Sequence, residues 1–280
     1  MVKGSVLHIG HSPDPDDAFM FFGIATGAVS LPGWEVRHVL ADIETLNEWA
    51  FRGTLEVTAI SAAVYPWVAE TYRLLRVGAS VGRRYGPKLL ARTPSSPDDL
   101  RGRRIAVPGR YTTAFLLLRL YLPDCRPVPM AFDRIPTAVA RGEVDAGLVI
   151  HEAQLTYPAW GLYEIADLGR WWAETTGLRI PLGVDVVRRD LGEAVAVAVA
   201  DLLRRSILYA QVHADEALAY ALRFGRGLDV ETGRSFIRMY VNDDTLDLGP
   251  DGERALQTLY TMAHERGIVP TVPVLDGVGG

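Results

Sequence analysis

Cysteine is nearly absent: Cys125 stands alone in 280 residues, which excludes an intrachain disulfide and a zinc site built on cysteines. An excess of basic charge is missing too. Against 29 Lys and Arg there are 34 Asp and Glu, for a formal net charge of −5, and the arginines that cluster at Arg101, Arg103 and Arg104 are too local to follow a phosphate backbone. No nucleic-acid partner is expected. No apolar run approaches the roughly 18 residues of a membrane-spanning helix, so no membrane partner is expected either. The first ten residues carry one lysine and no apolar, cleavable leader, from which a cytoplasmic location is expected. Walker and dinucleotide glycine fingerprints are lacking, and the histidines do not show metalloprotease spacing, so no nucleotide cofactor and no metal are expected.

What is present suits a soluble globular protein. Hydrophobic residues make up 49% and charged residues 22%, and 280 residues exceed what one core usually holds, so two lobes are expected. Residues 5–10 read as a strand ending in His11-Ser12-Pro13-Asp14-Pro15-Asp16-Asp17. Prolines 13 and 15 forbid a regular element there, Asp16 or Asp17 suits the cap of an apolar helix over 18–28, and Asp14 reads as a turn residue. Alternation predicts a strand over 34–40, and helical spacing a helix over 43–51. A strand over 55–60 runs at once into Ser61 and a helix to 70, with further strands over 74–79 and 88–91. Residues 93–102, rich in Pro, Ser and Asp, form the expected linker.

A second α/β lobe starts with a strand over 104–107, followed by Pro108-Gly109-Arg110-Tyr111-Thr112-Thr113 and an apolar helix over 114–121. Either threonine can cap that helix, while its free amides favour an anion such as a carboxylate. A helix over 134–141 precedes an apolar strand over 146–150, and another strand covers 161–166. Trp171 and Trp172 cannot both face one core from a helix, so one is a candidate wall for a flat ligand and packing against loops is the alternative. A strand over 180–187 returns to the first lobe. The remainder reads as helices over 191–212, 215–224, 230–240 and 252–266 with a loose tail. The expected division is therefore 1–94 with 180–280, and 95–179.

Ser12, Ser61, Thr112 with Thr113, and His151 each follow an expected strand. In open α/β sheets such positions converge on one edge, where ligands bind, and two such edges would face each other across a cleft. A small polar or anionic molecule is the expected ligand. His151 and Glu152 sit just past the 146–150 strand, and an imidazole needs little tuning to accept a proton near neutral pH. General base catalysis by His151, oriented by Glu152 or another acid, is the simplest enzymatic reading. A structural alternative makes His151 a strand cap and Ser61 a helix cap.

The segments HSPDPDDAF, VPGRYTTAFLLL, GEVDAGLVIHEAQLTYPAWGL and DLGRWWAETTGLRIPLGVDVVRRDLG together resemble the 1,4-dihydroxy-6-naphthoate synthase family of the futalosine route to menaquinone, from about residue 7 to 267. The resemblance implies a two-lobed, type II periplasmic-binding-protein-like fold and a lyase reaction on cyclic dehypoxanthinylfutalosine without a cofactor. It puts the proton acceptor on His151 and substrate contacts on Ala59, Ile60, Ser61, Thr112 and Thr113. The chain departs from the family twice. Many relatives read Cys-Pro-Asn-Asp-Thr where this chain has Asp14 to Ala18, and many have a lysine where Ala59 stands. Arg83 or Arg84, in a Gly-flanked loop, is then expected to hold the substrate carboxylate. Chorismate dehydratase, of the same superfamily, and a non-catalytic organic-anion binding protein are the alternatives. Monomer and homodimer are both left open.

Overall fold

The computed structural model describes residues 5–279. Its strands run in chain order as β1 (Ser5–His11), β2 (Trp34–Leu40), β3 (Val57–Ser61), β4 (Tyr72–Leu74), β5 (Ser80–Gly82), β6 (Lys88–Ala91), β7 (Arg104–Val107), β8 (Arg126–Pro129), β9 (Ala146–Val149), β10 (Tyr163–Asp167) and β11 (Ile180–Arg188). They form two sheets. The first has the order β2-β1-β3-β11-β4 with β5 also on β11, and the second the order β10-β6-β9-β7-β8. Each sheet has a parallel part, β1 with β2 and β3 in the first and β7 with β8 and β9 in the second. Parallel neighbours point their carboxyl ends the same way, so the loops after β1, β3, β7 and β9 are where ligand-facing residues belong. β11 returns antiparallel to β3 and completes the first sheet from the far end of the chain.

All four residues of β9 are buried, as expected for a strand covered on both faces. β6 pairs antiparallel with β9 and β10, so the second sheet begins before the Pro- and Ser-rich stretch. The expected boundary at 94/95 put this strand in the first lobe. A four-residue strand with Leu89 and Leu90 fully buried looks the same in either sheet, and only its pairing reveals which it joins. β8 was not anticipated because of Pro127 and Pro129. An edge strand tolerates prolines, since its outer N–H groups pair with nothing.

The first helix starts at Pro15, not 18. Asp14 caps it by accepting from the Asp17 amide at 3.2 Å, and proline at the first helical position has its φ already set. The helix ends at Met20, and a second short helix covers Phe22–Ala25. The C-terminal segment is not loose. The Val278 amide donates to Leu74 O and the Arg76 amide to Val278 O, both at 2.9 Å, while Arg189 grips Asp276 through two nitrogens at 2.7 and 2.9 Å. Trp172 is fully buried with Nε1 donating to Arg179 O at 3.0 Å. Truncating a core aromatic of this kind costs about 3–5 kcal/mol. Trp171 packs edge-on against Tyr121 instead, and neither indole reaches the cavity described next. Among the described residues no helix is long and apolar enough to cross a membrane.

Candidate active site

A cavity open at one side lies where the strand ends of the two sheets meet. From the first sheet come Ser12, Asp14, Asp16 and Asp17 after β1, Ala59, Ile60 and Ser61 at the end of β3, and Gly183 to Asp185 of β11. Thr112, Thr113, His151 and Gln154 come from the second. Neither Arg83 nor Glu152 lines it. Arg83 turns away to Asp244 at 2.9 Å and Asn242 at 3.3 Å, and among the described residues no lysine or arginine lines the cavity. Arg84 faces Glu174 at 3.6 Å and is likewise off the wall.

His151 holds a left-handed backbone conformation with φ +53°, uncommon outside glycine, at the point where β9 gives way to the next helical turn. That conformation swings the ring across the cleft toward Asp14. Nδ1 lies 3.1 Å from Asp14 Oδ2, and the edge of Phe132 packs on the ring at 4.8 Å between centroids. Asp14 is 2% exposed, and burial opposes its ionisation. The facing imidazole, the Asp16 carboxyl and the Asp17 amide outweigh that cost and hold it below the usual carboxylate range. An ionised carboxylate only accepts, so in the neutral ring it favours the proton on Nδ1. Nε2 is buried and without a partner. Sequence reasoning assigned Asp14 to the turn alone because its partner lies 137 positions away, on the other lobe.

The remaining carboxyls behave differently. Burial first, then the charges of Asp14 and Asp17, push Asp16 well above the ordinary range. Burial, then Asp14 and Asp185, do the same to Asp17, although its Oδ2 accepts from the Ser12 amide at 2.7 Å. Burial raises Asp185 to about 8. Burial thus favours the neutral form of Asp16, Asp17 and Asp185, while Asp14 is held toward its ionised form. Asp14, Asp16 and His151 also offer donor atoms within 4.8 Å of one another, the set among the described residues that could hold a cation. An ion there would have to come between the Asp14 and His151 side chains, whose nearest polar atoms are 3.1 Å apart.

Thr112 caps the helix Thr113–Tyr121, accepting from the Phe115 amide at 3.2 Å. The Thr113 hydroxyl donates to Leu182 O at 2.6 Å and accepts from the Ala63 amide at 3.1 Å, which stitches the lobes together beside the cavity. The amides of Arg110 and Tyr111 just ahead bind a carboxylate, as their position favours, but it is the chain's own: Glu44, from the first lobe, accepts from Tyr111 N at 3.1 and 3.2 Å. Gly109 makes that approach possible, since a Cβ there would fall 2.3 Å from the Glu44 carboxyl. Ser61 makes no capping bond with its side chain. Asn47, fully buried, accepts from its amide at 2.8 Å and donates to its Oγ at 3.0 Å, leaving the hydroxyl proton free.

Further bonds close the two lobes over the site. Tyr240 OH donates to Gln154 Oε1 at 2.9 Å. Arg226 reaches Glu152 at 3.2 Å and Pro13 O at 3.2 Å, and its guanidinium lies 4.6 Å from the Phe132 ring that packs on His151. Glu152, anticipated as the group orienting His151, holds this latch instead.

A family described as Menaquinone biosynthesis matches residues 7–265. The chain is 45% identical over 267 residues to a 1,4-dihydroxy-6-naphtoate synthase of Thermus thermophilus, covering 95% of this chain and 97% of the relative. It is 41% identical over 278 residues to the protein of that name from Streptomyces coelicolor, covering 97% of each. A crystal structure of an Archaeoglobus fulgidus protein superposes with a TM-score of 0.91 at 48% identity, covering 94% of this chain and 98% of the other. The alkanesulfonate-binding protein of Xanthomonas axonopodis, bound to MOPS, matches with a TM-score of 0.72 at 14% identity over 98% of both chains, a likeness of fold that identifies the two-lobed periplasmic-binding architecture.

Proposed function

The chain belongs to the menaquinone biosynthesis family, and from that premise we propose that it is a carbon–carbon lyase that converts cyclic dehypoxanthinylfutalosine to 1,4-dihydroxy-6-naphthoate, with His151 as general base. The observation that carries the assignment is the unpartnered, buried Nε2 of a ring whose other nitrogen is tied to Asp14 at 3.1 Å. Such a ring can take a proton at Nε2 while Asp14 stabilises the imidazolium that forms, which is the division of labour general base catalysis requires. His151 removes the proton of a substrate hydroxyl, the alkoxide collapses to a carbonyl, and the adjacent C–C bond breaks in a retro-aldol sense. Its electron pair passes into the ring system, which becomes aromatic. Aromatisation supplies the driving force, so the protein has to position, deprotonate and exclude water.

Ser12 Oγ, Asp16 Oδ1 and Asp185 Oδ2 are buried without partners on the same wall. Orphaned polar atoms of this sort cost stability, and a hydroxylated ligand would relieve that cost. Purified protein incubated with the cyclic futalosine derivative and, separately, with chorismate distinguishes the candidates. A naphthoate from the first supports the proposal. A benzoate from the second would assign the chain to chorismate dehydratase, and binding without any product would make it a receptor.

A further inference from the structure

We propose that Asp185 is a substrate-recognition residue, donating a hydrogen bond from its carboxyl to an oxygen of the bound ligand; the inference rests on the cleft reading above. Asp185 stands mid-strand in β11 between Val184 and Val186, opposite Ala59 of β3. It is 2% exposed, lines the cavity, and leaves Oδ2 without a hydrogen-bond partner. The chain closes on it from the other side. At Gly78, φ +90°, a Cβ would fall 1.9 Å from Oδ2, so only glycine lets that turn pack against the carboxyl. An unpaired Oδ2 on the cavity wall, in the middle of an apolar strand, is a group that a bound ligand can satisfy.

Charge decides what it can do there. Among the described residues the cavity is lined by four aspartates and neither lysine nor arginine, so an anionic or oxygen-rich ligand would be repelled if all four were ionised. The titratable groups that share the cavity wall with Asp185 are Asp14, Asp16, Asp17, His151 and Tyr240, and of these Asp17 feels its charge. Burial keeps Asp185 protonated up to about pH 8 and pushes Asp17 toward its neutral form as well. In that form Asp185 carries an O–H, and the wall presents neutral donors where a cation would otherwise be needed. Above pH 8 the same side chain becomes an acceptor with a negative charge.

Two substitutions separate recognition from scaffolding. Asp185→Asn keeps a donor at every pH, and Asp185→Leu keeps the bulk without one. In the wild type, KM for the cyclic substrate should rise about tenfold between pH 7 and 9, as one ionisation near 8 demands. With Asp185→Asn that rise should disappear. With Asp185→Leu, KM should already be about tenfold higher at pH 7, the ordinary weight of one hydrogen bond, with the change falling on KM rather than kcat. Infrared difference spectra of wild type against Asp185→Asn need no ligand, and should show a protonated carboxyl band at pH 7 that fades near pH 8. No such band, a wild-type KM in Asp185→Leu, or an alkaline rise that survives in Asp185→Asn would each overturn the proposal. If the wild type does not turn the substrate over, the catalytic reading fails on its own, and calorimetric titration with 1,4-dihydroxy-6-naphthoate must reproduce the same pattern in Kd or the role of Asp185 fails with it.

Discussion

Replacing Asp14 with asparagine probes the least expected part of the site. In the proposed mechanism the wild-type carboxylate, 3.1 Å from His151 Nδ1, steadies the positive charge that appears when the ring takes a proton. A hydrogen bond to a charged group contributes about 1.5–3 kcal/mol, which is roughly a 10- to 150-fold change in kcat. Asparagine adds a second loss, because its amide can donate to Nδ1 and drive the ring proton onto Nε2, where the lone pair is needed. In serine-protease triads the matching swap costs about 10⁴ in kcat. The expectation here is a fall in kcat of about 10² to 10⁴, with KM changed by less than about threefold. Asparagine caps a helix about as well as aspartate, so the cap to the Asp17 amide and the melting temperature should persist. Asp14→Ala loses the cap as well and should melt lower. Steady-state formation of the naphthoate, followed by absorbance, measures both parameters. A kcat for Asp14→Asn within about threefold of wild type would refute the pairing as a catalytic device.

Asp185→Asn should also change stability with pH. Its folded-state titration near 8 lies above the ordinary value of about 3.9, so its contribution is greatest below pH 4 and is lost as pH rises toward 8. Removing it should stabilise the protein at pH 7 by on the order of several kcal/mol and leave pH 4 unchanged; urea unfolding at both pH values checks this. Arg226→Ala frees Glu152 and uncovers Phe132, so substrate should dissociate faster and KM should rise about three- to tenfold, read by stopped-flow displacement. Asn47→Ala leaves the Ser61 amide buried without an acceptor and should cost about 1–3 kcal/mol in denaturant unfolding.

Much of this architecture follows from local pattern. The strand covering residues 34–40 and the helix covering 230–240 are found where alternation and helical spacing place them, and Ser12, Ser61, Thr112, Thr113 and His151 reach one cavity because each lies at or just past the end of a strand in the parallel part of its sheet. What local pattern cannot encode is partnership across the chain. Asp14 and His151, or Gln154 and Tyr240, meet only because two lobes close, and nothing in their neighbourhoods announces it. Asp185 did carry a signal, an aspartate within the apolar run of β11. Arg83 misled because a Gly-flanked loop resembles a ligand loop, whereas an acidic neighbour, Asp244, had already engaged it. Pro15 read as a breaker although the first turn of a helix is where proline fits.

The central claim is that His151 performs the chemistry and does little of the binding. Its most direct test is the turnover of cyclic dehypoxanthinylfutalosine by purified His151→Ala, with binding measured on the same preparation by calorimetry. The account predicts a loss of about 10² to 10⁴ in kcat, the usual weight of a positioned base, with Kd within about fivefold of wild type. Naphthoate formation at the wild-type rate would contradict it.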